Sequence, residues 1–325
     1  MFRWSLIFTF LLCLTSLGSK LSFALEEVKP SSSGHSHLSS TYTPSKVVRP
    51  SNSASNYKGL KGWDHLFNLL IARGVDPNEL QKTLSDRKMP SFKPLYFSLD
   101  PKESRAAYRR RNRDSEIKNA VEFYRKHESK FIEAEKRFQV PRSVILSILQ
   151  METRCGKFTG NSIVFHGLAR LAIAADPDNI EKNFNRLKKK DKENKVTLTR
   201  VSERALWLEN TFLPHVLATI NVAQAKGLKT LDLKGSYSGA IGLPQFLPGN
   251  QLTYGVDGNE NGEVDLFSPD DAIPSVANFL QAKGWNTMHP SQEEKEKVIW
   301  HYNRSAPYVE TVLKMAKRMD GALNQ

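Results

Sequence analysis

From Pro141 to Asn161 the chain reads PRSVILSILQMETRCGKFTGN. Apolar residues at Val144, Ile145, Leu146, Ile148, Leu149 and Met151 predict one buried helix, with Pro141 suited to its first position and Gly156 to its stop. One acid interrupts the pattern. Glu152 follows Ile145 by seven residues, Ile148 by four and Leu149 by three, so it shares their face. Burial there disfavours the charged carboxylate and raises its pKa, as suits a general acid. The alternative is a solvated edge, with Glu152 paired to Arg154 or Lys157.

The remaining pattern is also mainly helical. LFNLLIARG is an amphipathic segment ended by Gly74, and Asp76-Pro77 is an N-cap followed by a first-turn proline. Ser91 to Pro101 reads as an extended connector. Arg105 to Gln139 reads as one long helical pattern, with Ile117, Ala120, Val121 and Tyr124 on a face that Phe131, Ala134 and Phe138 continue. Its cluster Arg109-Arg110-Arg111-Asn112-Arg113 reads as a solvated face. IVFHGLARLAIAA is a further apolar helix, and packing resumes from Arg204. Gly235 to Pro248 and Asp257 to Asp271 are loops, with a short strand expected at Glu263 to Leu266. Asp270-Asp271 opens a helix closed by Gly284, and the last unit runs from Lys297 to Met319, with YNRSAPYVETVLKMAKRM as its final helix. The fold class is therefore mainly α (α+β).

Three stretches lack this periodicity. Residues 1–24 carry Arg3, an apolar run from Leu6 to Leu17 and the small-x-small site Ser22-Phe23-Ala24, the pattern of an export signal. The run is too short to span a bilayer, so no stable membrane insertion is expected. Residues 25–56 are rich in Ser, Thr, Pro and Asn and read as a flexible tether. Residues 176–203 include LKKKDKENK and read as an exposed, mobile insertion.

Charge and cysteines narrow the partners. The formal charge is +13; removing the leader takes Arg3, Lys20 and no acid, leaving +11. Nucleic acid, an anionic membrane surface and an acidic cell-wall polymer all fit such a charge. Export and the lack of any recognition motif argue against nucleic acid. Cys13 leaves with the leader, so Cys155 stands alone, no internal disulfide can form, and a buried thiol is expected.

METRCGKFTGN, GSYSGAIGLPQFLP (residues 235–248) and HYNRSAPYVETV (residues 301–312) together resemble the membrane-bound lytic murein transglycosylase B family. That pattern has Glu-Thr-Arg-Trp-Gly, then Gly-Ser-x-x-Gly-Ala-x-Gly-x-x-Gln-Phe-x-Pro, an Asp-rich calcium loop, and Tyr-Asn-x-Ser-x-x-Tyr. The likeness runs from Tyr57 to the C-terminus. It implies a catalytic domain over 57–325, with a lysozyme-like core at about 141–290 and an additional helical lobe from 57–140 plus the C-terminal helix. It also implies cleavage of the β-1,4 bond between N-acetylmuramic acid and N-acetylglucosamine in peptidoglycan strands. Glu152 would protonate the leaving oxygen, then act as base on the muramyl 6-hydroxyl, giving a 1,6-anhydro end without a cofactor. Consistently, no second acid stands in the loop from Gly235 to Pro248, whereas ordinary glycosidases need two. By the same resemblance Ser236, Gln245, Tyr302, Asn303 and Tyr308 bind substrate, and Arg204 remains of a basic pair for stem peptides. The protein is expected as a monomer.

Cys155 stands for the family tryptophan, Pro244 for a small residue, and Phe279 where a tyrosine is frequent, which removes one hydrogen bond available to Glu152. A hydrolytic muramidase and a non-catalytic wall-binding protein are the alternatives. In the loop DGNENGEVD, Asp257, Asn259, Asn261 and Glu263 follow the EF-hand spacing, and Asp271 is the family's substitute final acid. With two amides among these positions, calcium should bind weakly, and a metal-free turn competes.

Overall fold

The computed structural model describes residues 56–101 and 105–323; the leader and nearly all of the tether lie outside the described residues. The helix predicted around Ile145 is the centre of the fold. It is α6 (Arg142–Thr153), preceded by α1 (Asp64–Ile71), α2 (Pro77–Ser85), α3 (Arg105–Arg111), α4 (Asp114–Lys126) and α5 (Glu128–Phe138). All its residues from Ser143 to Met151 are buried, so it is wrapped on every side rather than amphipathic. Four further helices pack on it: α4, α5, α11 (Pro269–Ala282) and the C-terminal α13 (Ala306–Leu323).

Around this centre the chain closes a second layer. A two-residue strand β1 (Ser162–Ile163) leads into α7 (Val164–Ala172), then α8 (Pro177–Lys188) and the long α9 (Leu198–Ala225). The strand β2 (Lys234–Gly235) pairs antiparallel with β1, setting Ser162 opposite Gly235. The glycine-rich loop follows, then α10 (Pro248–Tyr254), α11 and α12 (Gln292–Tyr302). One continuous hydrophobic cluster runs from Leu60 to Met319.

Local signals placed most starts and stops. Asp76 caps α2 by accepting from Asn78 and Glu79 backbone N–H groups, with Pro77 in the first turn. Gly284 follows α11 at φ +108°. Pro141 is the N-cap of α6, one position before the helix starts.

Tertiary context corrected four expectations. The long pattern from Arg105 to Gln139 is three helices, because Arg113 is extended and His127 leaves helical geometry (φ −127°). The final unit is two helices, broken at Asn303 (φ −147°, ψ 119°), and this break carries Asn303 to the cleft. No strand forms at Glu263 to Leu266: Leu266 accepts one bond from Leu243 N–H and Val264 one from the Gln251 side chain, which is not a ladder.

The fourth correction concerns residues 176–203. Only their middle is an exposed turn; Pro177–Lys188 is the helix α8. Its Asn179 and Asn183 are fully buried and face the extended connector. Leu95 N–H donates to Asn179 Oδ1 at 2.9 Å, and Asn183 donates to Leu95 O at 2.8 Å. Phe97 N–H reaches Asn183 Oδ1 at 3.2 Å. A strand-like segment with no neighbouring strand must satisfy its backbone elsewhere, and two asparagine side chains one turn apart do so. Hydrophilic composition concealed this, because the polarity points inward.

Candidate active site

The C-terminal end of α6 opens into a cleft of about 380 Å³. The helix stops through three successive left-handed residues, Arg154, Cys155 and Gly156, with φ of 53°, 54° and 88°. Thr153 ties that end to the glycine-rich loop, donating to Leu243 O and accepting from Gly156 N–H, both at 2.9 Å. Glu152 is thereby fixed at the cleft wall.

Its surroundings are apolar and aromatic. Burial pushes the Glu152 carboxyl up to about 7, against the opposing pull of a hydrogen bond from Tyr308 and the charge of Arg111. The Tyr308 hydroxyl donates to Glu152 Oε1 at 2.7 Å. Tyr308 is fully buried and is not part of the cleft wall; it holds the acid from behind rather than meeting a ligand. Its ring stacks on Tyr302 at 6.4 Å and meets Tyr108 edge-on at 6.5 Å. The hydrogen bond that Phe279 cannot make is therefore supplied by Tyr308. Phe279 itself packs against Tyr302, with ring centroids 5.0 Å apart. Arg154 does not neutralise Glu152, since it pairs with Glu116 at 2.7 Å.

The loop from Gly235 to Pro248 forms the facing wall. Ser236 and Ala240 exchange two bonds, Ser236 N–H to Ala240 O at 2.7 Å and Ala240 N–H to Ser236 Oγ at 3.0 Å. Ile241 and Phe246 pair across a tight turn, and Gln245 occupies its left-handed corner at φ 51°. Gln245 donates its amide hydrogens to Gly242 O at 2.9 Å and Thr159 O at 3.2 Å. This orients the carboxamide and leaves Oε1 as its acceptor for a ligand. Tyr302 donates to Pro244 O at 2.6 Å, so its hydroxyl anchors the loop.

Gly242 shows how tightly that turn is seated. It has φ +70°, and a Cβ there would lie 2.2 Å from Leu266 O. Gly242→Ala is expected to cost about 3 kcal/mol through strain and overpacking, read as a lower denaturant midpoint with an unchanged m value.

Five of the residues expected from the sequence come together here: Glu152, Ser236, Gln245, Tyr302 and Asn303 all line the cleft. Arg204 does not. It is buried, with its guanidinium 4.5 Å over the ring of Trp207, and Trp207 is the residue that faces the cleft. Cys155 is buried beside Gln150, and burial raises its thiol pKa, so it is a packing residue. Sequence reasoning missed Arg111, Trp207, Thr211, His215 and Asn250, which also line the cleft. The spacing of Trp207, Thr211 and His215 at successive fourth positions was the available signal; Arg111 was hidden in a run that otherwise faces solvent.

The Asp257 loop closes on itself. Asp257 accepts from Asn261 N–H at 3.1 Å and Gly262 N–H at 2.7 Å, and Asn261 accepts from Glu263 N–H at 2.9 Å. Asp271, fully buried, accepts from Gly258 N–H at 2.9 Å and Asp265 N–H at 2.7 Å. No group of three His, Cys, Asp or Glu side chains converges for a metal among the described residues. The donors present, two carboxylates and neutral oxygens, fit a weak oxygen site and are consistent with a self-supporting turn.

A helical fold wrapped around one buried helix, with a lone acid at its mouth over an open groove, defines a lysozyme-like protein. Residues 61–297 match the transglycosylase SLT domain, and the chain belongs to that family. The membrane-bound lytic murein transglycosylase B of Escherichia coli K12 is 28% identical over 224 residues, covering 65% of this chain and 54% of that protein. The chain thus spans about half the length of that relative. Among solved structures, the E. coli lytic transglycosylase SLT35 in complex with bulgecin A aligns with a TM-score of 0.60 at 20% identity, over 86% of this chain and all of that one. SltB3 of Pseudomonas aeruginosa, in complex with NAG-NAM-pentapeptide, aligns at 0.57 and 18%, over 81% of this chain and 80% of that one. These likenesses establish the fold.

Proposed function

We propose that the protein is a peptidoglycan lytic transglycosylase that cuts the β-1,4 bond between N-acetylmuramic acid and N-acetylglucosamine. The carrying observation is that Glu152 is the only carboxylate lining the cleft among the described residues. A glycosidase that activates water needs a second acid about 5–9.5 Å away, and none faces the cleft. Glu152 near 7 is protonated often enough at neutral pH to donate to the leaving oxygen, and basic enough afterwards to take a proton back. The muramyl 6-hydroxyl then closes on C1, held close by the sugar itself. Gln245 Oε1 suits an acetamido N–H, and Arg111 suits the acidic groups of the strand.

Digestion of purified peptidoglycan followed by mass analysis of the fragments tests this. Anhydro ends, lighter by one water than hydrolysed ends, are expected. Hydrolysed ends would make the protein a muramidase, and no fragments would make it a wall-binding protein.

The same reading places the protein outside the cytoplasm as a soluble monomer after cleavage at Ala24. No described helix is long and apolar enough to cross a membrane. Calcium is proposed as a weak structural ligand of the Asp257 loop, and SLT35 has been solved in complex with calcium. Tenfold excess over the dissociation constant stabilises a folded protein by about 1.4 kcal/mol, so millimolar calcium should raise the melting temperature by a few degrees. No shift would remove calcium from the loop.

A further inference from the structure

The α9 wall of the cleft carries a second set of groups, separate from the acid. Trp207, Thr211 and His215 lie at four-residue spacing on one helix face, and all three line the cleft with Asn250 of α10. None of the four is hydrogen-bonded to Glu152. The Arg204 guanidinium covers Trp207 at 4.5 Å, which fixes the indole as a platform.

His215 is held in one orientation. Gly249 N–H donates to its Nδ1 at 3.2 Å. In the neutral ring the proton therefore resides on Nε2, making that atom a donor. Nε2 is neither bonded to another described residue nor among the buried atoms left without a partner, and it belongs to a residue on the cleft wall. Burial lowers the imidazole pKa to about 4, so the ring is neutral at physiological pH. The position of the ring also depends on Gly249. A Cβ there would sit 2.7 Å from Nδ1 and 2.9 Å from Cε1 of His215. Gly249 has no positive φ, so the glycine makes room for the imidazole rather than relieving the backbone.

A neutral, oriented N–H two helical turns, about 12 Å, along α9 from an indole platform matches one ligand feature, a strand of N-acetylated sugars. The apolar face of a pyranose lies on an aromatic ring, and a neutral amide carbonyl is the complementary acceptor for an uncharged donor. The cations in the cleft, Arg111 and Arg304, already suit acidic groups. We propose that His215 is a specificity residue: its Nε2–H donates to the acetamido carbonyl of an N-acetylhexosamine in a strand that also rests on Trp207, so this part of the cleft selects N-acetylated over de-N-acetylated sugars. This rests on the reading that the cleft takes an amino-sugar strand, which the peptidoglycan digest decides separately.

The test is calorimetric binding of a chitin tetrasaccharide and its fully de-N-acetylated counterpart. Full-length protein carrying Glu152→Gln is used so that nothing is cut. Adding His215→Leu should weaken the acetylated ligand about three- to tenfold, the worth of one hydrogen bond, and leave the deacetylated ligand unchanged. His215→Gln, whose amide nitrogen reaches the Nε2 position, should restore the preference; His215→Asn, which places its amide at Nδ1, should not. Gly249→Ala, which keeps the histidine but displaces its ring, should reproduce the Leu result. If the Leu variant melts early, the Gln and Asn pair decides. Equal loss for both ligands, no loss for either, or a Gln variant no better than Asn would overturn the assignment. So would the absence of binding by the parent.

Discussion

Glu152→Gln is expected to lower the rate of peptidoglycan cleavage by at least about 10⁴-fold, since in the proposed mechanism one residue serves as both acid and base and each role alone is worth 10²–10⁴. The same substitution should change stability with an identifiable sign. Glu152 titrates near 7 in the folded protein, above its ordinary 4.5. Between those values the native state keeps a proton that the unfolded chain has lost, so stability falls as pH rises from about 4.5 to 7 and is level above. The loss is on the order of 3 kcal/mol. Glutamine cannot titrate and still accepts from the Tyr308 hydroxyl. The variant should therefore melt several degrees above the wild type at pH 8, and the gap should close toward pH 4. His166 and His215, both lowered by burial to about 4, slope the other way in both proteins, so the difference between the two melting curves is the quantity to follow. Equal melting temperatures at pH 8, or wild-type clearing of peptidoglycan by the variant, would remove Glu152 from the role.

The second large effect concerns Tyr308. Its hydroxyl donates to Glu152 and so favours the carboxylate, opposing the burial that raises the pKa. Tyr308→Phe removes that donor and leaves the ring stacked on Tyr302. A hydrogen bond to a charged group is worth about 1.5–3 kcal/mol, so the pKa of Glu152 should rise by about one to two units. The alkaline limb of kcat/KM should move up with it. Turnover at neutral pH should drop about tenfold, because in the proposed mechanism a carboxyl with a higher pKa gives up its proton less readily to the leaving oxygen. KM should hold, since Tyr308 does not line the cleft. A lower rate with an unmoved limb would reduce Tyr308 to a packing residue.

The acid was legible in the sequence because a charge on an apolar helical face is a local contradiction, and Glu152 sits on a helix that is otherwise buried. The tight turns at Gly235 to Pro248 were legible because their glycines and prolines act locally. Roles were harder to read. Tyr308 was expected to meet substrate, yet it lies behind the cleft and holds the acid, while Tyr302 lines the cleft and also anchors Pro244. Arg204 was expected at the cleft and instead lies beneath Trp207. Asn179 and Asn183 looked like solvated residues in a hydrophilic stretch, and they bind the backbone of Leu95 and Phe97.

By itself, the sequence determined the helical class, the buried central helix with an acid on its apolar face, and the tight turns at Gly235 to Pro248. These follow from periodicity and from the restricted backbones of glycine and proline, which act over a few residues. Only the tertiary structure decided what surrounds the acid, which tyrosine bonds to it, where the helices break and which side of α9 meets the groove. Those depend on contacts between segments far apart in the chain, as between Tyr308 and Glu152, 156 positions away, and no local pattern encodes the direction in which a polar side chain will finally point.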